Sequence, residues 1–476
     1  MSGRNAITSV AAAENNFLAQ LAAIVGGARV HTRAEEMAPF LLDWRGRYHG
    51  AARAVVQPDT PEEVAAVVRC CVEAKVPITP QGGNTSLCGA ATPDQNGSAV
   101  VLNLTRLKRV RTLDRVGNTM IAEAGCTLES LQQAAADAGR YFPLSLASEG
   151  TCQLGGNVST NAGGVHVLRY GNMRELTLGL EVVLPNGEIW HGLRALRKDN
   201  TGYDLKHLFI GAEGTLGVIT AAALRLFPAA RETRVAWLGV SSPQEALLCL
   251  ESAQQAFEAQ LIACELVSRS SLELVMRHIP GSIDPLRGNY PWYLLCQINN
   301  RPKEIIEDWL ARLLESGNLQ DALLAQHQAQ VDALWRLRET IPEAQKIEGV
   351  SVKHDISLPL SAIPDFLARA SDALHGAFQQ LSIVAFGHLG DGNLHYNLAC
   401  ADQVANASFI QREAEVNRIV YDLVHEYDGS ISAEHGLGQL KRETIQRYKS
   451  SLELRLMAQI KQLFDPFQLM NPGKIF

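Results

Sequence analysis

The sequence predicts an α+β fold in two parts of different texture, preceded by a helical lead-in and closed by a helical C-terminal run. Three observations carry this reading. As far as about Phe227, short β-like runs alternate with loops rich in Gly, Asn and Thr. Beyond Pro228, strand-like runs alternate with helix-like segments. No internal repeat or low-complexity linker interrupts either part. The expected division is a lead-in over 1–47, a glycine-rich domain over 48–228 and an antiparallel-sheet domain with a helical end over 229–476.

The elements follow in order. AAENNFLAQLAAIVG spaces its apolar residues helically and stops at Gly26 and Gly27. ARAVVQP reads as a strand, and Thr60 with Glu63 then makes a capping box with Pro61 at the first helical position. Val64, Val67, Val68, Cys71 and Val72 form one apolar helical face. AVVLNL, MIAEAG, TLGLEVVLP and GVITAAALRLF read as strands. After residue 228, VAWLGV and YLLCQI read as strands, and SPQEALLCLESAQQAF and KEIIEDWLARLLES as the helices backing them.

Bulk composition excludes several classes of function. A chain of 476 residues with 46% apolar residues can bury full cores. The net charge of -7, with both signs interspersed, leaves no basic stripe for a phosphate backbone, so nucleic acid is not expected as a partner. No segment offers ~18 uninterrupted apolar residues, and an acidic residue and two Asn interrupt the N-terminal stretch where a signal peptide is apolar. A cytoplasmic protein without a transmembrane segment is the expectation. The nine Cys are expected to be buried thiols, and Cys70 and Cys71, adjacent in one helix, face apart.

Three loops stand out by their bare backbone. Pro80, Gln81, Gly82, Gly83, Asn84, Thr85 and Ser86 follow a strand directly. Glycines there admit a close-lying pyrophosphate, and the hydroxyls add donors; Gly-Gly-Asn clusters also mark plain turns. LGGNVSTNAGG, residues 154–164, holds four glycines in eleven positions. Gly211 to Gly217 is the third. No GxGxxG opens a helix with an acidic residue ~20 positions later, which argues against a nicotinamide site.

These stretches, PQGGNTSLCG, SEGTCQLGGNVSTNAGGVHVLRYGNMRELTLGLEVVLPNGE and KDNTGYDLKHLFIGAEGTLGVIT, resemble the FAD-binding domain of the vanillyl-alcohol oxidase superfamily over roughly residues 48–228. The resemblance implies a two-subdomain FAD-binding domain. Gly82, Gly83, Asn84 and Thr85 would contact the pyrophosphate, with Pro80 and Ser86 in the same loop. Ser148, Gly155, Asn157, Thr160 and Gly164 would lie along the cofactor, and Glu213 with Ile219 near its adenosine half. His166 is read as an ordinary loop histidine.

The segment LSIVAFGHLGDGNLHYNLAC reads as a hairpin with Asp391-Gly392 as a two-residue loop. That loop pairs 388 with 395 and places His388 directly opposite His395, Cβ atoms ~5 Å apart, where they can share an ion; a longer loop breaks this register. Asn397 shares the face. SAEHGLG adds Glu434 and His435, and two His with one Glu is a catalytic zinc set. Paired histidines are also common as plain polar surface residues.

GHLGDGNLHYNL, SAEHGLG and NPGKI resemble the FAD-linked oxidase C-terminal domain, in the D-2-hydroxyglutarate and D-lactate dehydrogenase branch. The resemblance implies zinc ligation by His388, His395 and Glu434, and His435 as catalytic base. Arg338 and Lys353, in LWRLRETIPEAQKIEGVSVKHDISLP, match its carboxylate-binding positions, with Asn397 beside the substrate; without the resemblance they read as solvated charges. Where the hydroxyglutarate pattern has Thr, four residues after the Arg, this chain has Pro342. The expectation is an FAD- and metal-dependent oxidation of a small D-2-hydroxy acid, with an electron-transfer flavoprotein or a quinone as acceptor and a homodimer as the assembly. Two rival readings are a metal-independent flavin alcohol oxidase and a non-catalytic FAD-binding subunit of an electron-transfer complex.

Overall fold

The computed structural model describes residues 2–400 and 402–475, with side chains from Glu14 onward. The chain divides into two compact units. The first takes the chain up to Gly163, then Asn172–Ala229 and the stretch from Glu434 on; the second takes Gly164–Gly171 and Ala230–Ala433. The chain passes from the first unit to the second at Ala229–Ala230 and returns to the first at Glu434. Its last stretch joins the first unit through pairing that local periodicity cannot reveal. Ile78 N–H donates to the Leu469 carbonyl at 2.8 Å and Asn471 N–H to the Ile78 carbonyl at 2.7 Å. The buried Lys461 ammonium donates to the carbonyls of Thr215 and Met470, 2.7 Å each.

The first unit holds two larger sheets. In the four-stranded one, Ala54–Val56, Val100–Asn103 and Ile78–Gln81 run parallel, with Val30–His31 antiparallel at the edge. Ala54, Val55 and Val56 are all fully buried, as strands covered on both faces must be. The helix Pro61–Glu73 begins as predicted: the Thr60 hydroxyl accepts from Glu63 N–H. The Glu63 carboxylate reaches back one residue further than a capping box requires, to Asp59 N–H at 2.7 Å. Val64, Val67, Val68 and Cys71 are buried against the sheet. The second sheet is antiparallel, in the order 110–114, 119–123, 218–225, 177–183, 189–192.

The second unit is built on one seven-stranded antiparallel sheet. Its strands are β1 (Thr233–Val240), β2 (Leu261–Ser268), β3 (Trp292–Asn299), β4 (Asp321–Leu324), β5 (Val352–Ser357), β6 (Leu381–His388) and β7 (Asn393–Cys400), in the order β4-β1-β3-β2-β6-β7-β5. Alternation along each strand sorts side chains onto two faces. One face packs Trp237, Val267, Leu295 and Phe386 against the helices Arg269–His278, Gln328–Glu339 and Ile341–Glu348. On the other, Tyr396 meets Phe366 and His354 meets Tyr421. All nine cysteines are buried, and none of them forms a disulfide among the described residues. Among the described residues no helix is long and apolar enough to cross a membrane.

Candidate active site

The first unit brings the glycine loops together. A Cβ on Gly83 would stand 1.9 Å from the Thr151 carbonyl, so the loop after Ile78–Gln81 lies directly on the 148–153 turn. The main chain of the third loop is bonded to the second: Gly211 N–H donates to the Val158 carbonyl at 3.0 Å and Glu213 N–H to Ser159 at 2.8 Å. Part of the glycine content is thus needed for the protein's own close packing. Asn84 takes φ +54, and its amide donates to the Pro39 and Leu42 carbonyls at 3.3 and 2.8 Å. Ser148 presents its carbonyl to Thr151 and Cys152 N–H, the Thr160 hydroxyl donates to Gly156, and the Ser86 hydroxyl accepts from Ala90 N–H. Ile219 is buried in the strand Val218–Arg225.

The same region fits a long polar cofactor. Asn84 Oδ1, Gln153 Oε1 and Asn157 Nδ2 are buried without a hydrogen-bond partner, and a Cβ on Gly156 would meet nothing within 4 Å. Unsatisfied polar atoms in buried positions are rare in proteins, and a bound ligand removes their cost. Glu213 differs from the rest. Leu437 and Gly438 N–H groups occupy its two carboxylate oxygens, and its main chain is engaged as well, the N–H with Ser159 and the carbonyl with the Asn471 amide. Gly164 and His166 belong to the short stretch grouped with the second unit, where Leu168 packs on Gly390.

In the second unit the hairpin departs from its predicted register. His388 pairs with Asn393, and His395 with Phe386. The loop is Leu389–Gly392, closed by Asp391 and Gly392 N–H groups donating to the His388 carbonyl at 3.2 and 3.1 Å. Lengthening the loop from two residues to four moves the pairing by two positions. Because side chains alternate with period two, the face is preserved. His388 and His395 therefore stand diagonally on one face, ring centroids 5.7 Å apart. Asn397 shares that face, as predicted, with Lys353 its neighbour across the strands.

A carboxylate that sequence reasoning missed organises this face. Glu265 on β2 pairs across the sheet with His388 and is 1% exposed. Its Oε1 lies 2.8 Å from His388 Nδ1, and its Oε2 lies 2.8 Å from Arg338 Nη2. The first contact assigns the proton to Nδ1 and puts the ring's lone pair on Nε2. Burial works to raise the Glu265 pKa, but His388 and Arg338 outweigh it and hold the carboxyl below its ordinary value. A lone Glu inside the apolar run LIACELVS was the available signal, since carboxylates are almost never fully buried unpaired.

Arg338 is 5% exposed, its guanidinium carbon 4.8 Å from the Phe386 ring centroid, so the solvated-charge reading does not hold. Its Nε is buried with no hydrogen-bond partner. Asn397 is engaged at both ends: its amide donates to Gln345 at 3.0 Å and its oxygen accepts from His354 N–H at 3.2 Å. Asp355, paired across the strands with His395, accepts from the Asn393 amide at 3.0 Å. Burial pushes the Asp391 carboxyl in the turn up to about 6. Ala433 N–H donates to the Asp355 carbonyl at 3.2 Å, so the chain runs along β5 just before it continues into Glu434 and His435. Pro342 stands in the first turn of the helix Ile341–Glu348.

Comparison with known proteins agrees with both halves. Residues 52–192 match the FAD binding domain family, and residues 229–475 match the family of FAD linked oxidases, C-terminal domain. A D-2-hydroxyglutarate dehydrogenase of Xanthomonas citri pv. viticola is 37% identical over 453 residues, 94% of each chain. The mitochondrial D-2-hydroxyglutarate dehydrogenase of Bos taurus is 37% identical over 96% of this chain and 83% of its own. Among solved structures, p-cresol methylhydroxylase with substrate bound superposes with a TM-score of 0.77 over 97% of this chain and 96% of its own; at 17% identity this speaks for the fold alone. The chain belongs to the FAD-linked oxidase family, in the branch of its D-2-hydroxyglutarate dehydrogenase relatives, and is an FAD-dependent oxidoreductase.

Proposed function

We propose that the protein oxidises a small D-2-hydroxy acid to the 2-oxo acid, using a divalent metal, zinc by the chemistry of its ligands, held by His388, His395 and Glu434. The observation that carries this reading is Glu265, one carboxylate in contact with both His388 and Arg338. A second carboxylate holding a ligand imidazole is the usual companion of a metal site, and an arginine pinned beside it, with an unpaired buried Nε, is ready to receive an anion.

The residues divide the work. Arg338 and Lys353 bind the substrate carboxylate and fix its Cα, with Asn397 held rigid beside Lys353 by Gln345 and His354. His435 takes the hydroxyl proton as the base. Such a metal lowers the pKa of a hydroxyl bound to it. FAD bound by the three loops supplies the acceptor for the hydride.

The absence of a nicotinamide motif favours an electron-transfer flavoprotein or a quinone as the final acceptor. We place the protein in the cytoplasm, as a homodimer. Pro342 removes a hydroxyl from the region around the distal end of the substrate and favours a 2-hydroxy acid other than hydroxyglutarate. The test is anaerobic mixing of the purified yellow protein with paired D- and L-2-hydroxy acids. Bleaching of the flavin by D-acids is expected; bleaching by L-acids alone overturns the reading.

A further inference from the structure

We propose that Glu213 is a positioning residue: its buried carboxylate grips the turn Gly436–Gly438 and so sets where the preceding residue, His435, is held. This rests on the role given to His435 above. Glu213 Oε1 accepts from Leu437 N–H and Oε2 from Gly438 N–H, 2.8 Å each. Two consecutive amides next to glycines of positive φ, +73 at Gly436 and +50 at Gly438, make a concavity that suits an anion. Here the protein's own carboxylate fills it.

The fit is close on every side. A Cβ on Gly436 would stand 2.8 Å from Glu213 Oε1, and one on Gly438 would stand 2.1 Å from the Cys88 carbonyl. Beyond the turn, Gln439 N–H donates to that same carbonyl at 2.8 Å, and the Gln439 amide donates to the Gly89 and Thr92 carbonyls at 2.9 and 3.0 Å. Glu213 is itself fixed. It holds φ +49, a conformation that side-chain-bearing residues seldom adopt, and its carbonyl accepts from the Asn471 amide at 2.8 Å. Burial raises its pKa, and the Leu437 and Gly438 N–H groups work against that rise. A carboxylate is used because two separate N–H groups need two acceptor oxygens, and a glutamine offers one.

A purely structural carboxylate would be felt as lost stability. A positioning residue is felt in turnover, because small misplacements of a catalytic group cost rate steeply. In Glu213→Gln, Leu437 and Gly438 amides should exchange with deuterium at least about tenfold faster, FAD content should stay full, and kcat should fall on the order of tenfold with KM within about twofold. Gly436→Ala, which crowds the same contact from the other side, should repeat the pattern. Unchanged exchange in both variants overturns the proposal, as does freed exchange with unchanged kcat beside an inactive His435→Ala. Full activity in His435→Ala, by contrast, sinks the proposed function itself and takes the catalytic part of this inference with it.

Discussion

Glu265 Oε1 stands 2.8 Å from His388 Nδ1, inside a sheet where the two residues are direct cross-strand partners. The contact sets both the tautomer and the ring orientation of His388, so the imidazole is ordered before any ligand arrives. Removing its charge without changing its shape should weaken metal affinity about 10- to 100-fold. Glu265→Gln, titrated with zinc against a competing chelator, measures this.

The same carboxylate compensates Arg338 at 2.8 Å. Breaking one side of a buried pair leaves the other charge stranded, so Arg338→Met should lower stability by about 3 kcal/mol in denaturant unfolding. The double variant with Glu265→Gln should cost less than the sum of the two, because the stranded charge is gone.

Arg111 joins two buried carboxylates of the first unit, 3.2 Å from Glu123 and 2.9 Å from Glu181. Burial raises both acids, but Arg109 and Arg111 on Glu123, and Arg111 and Thr220 on Glu181, outweigh it and leave both depressed. A depressed carboxyl contributes stability that is present above its unfolded value, about 4.3, and is lost as pH falls through the folded value. Arg111→Met should therefore begin acid unfolding at a higher pH than the wild type, followed by circular dichroism.

Pro342 opens the helix Ile341–Glu348, where it fits the helical φ and needs no N–H partner. Pro342→Thr should restore a hydroxyl four residues after Arg338 without breaking the helix. The ratio of kcat/KM for D-2-hydroxyglutarate over D-lactate should rise several-fold, on the order of 1 kcal/mol for one hydrogen bond.

Much of this was legible in the sequence. Helical periodicity and the capping residues located Pro61–Glu73, because both are local patterns. The shared face of His388 and His395 was legible too, although their register was not. Asp391-Gly392 marks a turn, but the hydrogen bonds that make it four residues long are set by the folded hairpin. Glu265 and Glu213 were out of reach as partners of the site, since His388 lies 123 positions from the one and Leu437 224 from the other. The return of the C-terminal stretch to the first unit is the same kind of fact, made by long-range backbone pairing at Ile78.

The account stands or falls on whether flavin reduction depends on the histidine face. Rapid anaerobic mixing of a D-2-hydroxy acid with wild type and with His388→Ala, each with full FAD content, tests this directly. Fast bleaching in the wild type and bleaching at least about 100-fold slower in the variant is the predicted result. Bleaching at the wild-type rate in His388→Ala, with no metal bound, would contradict it.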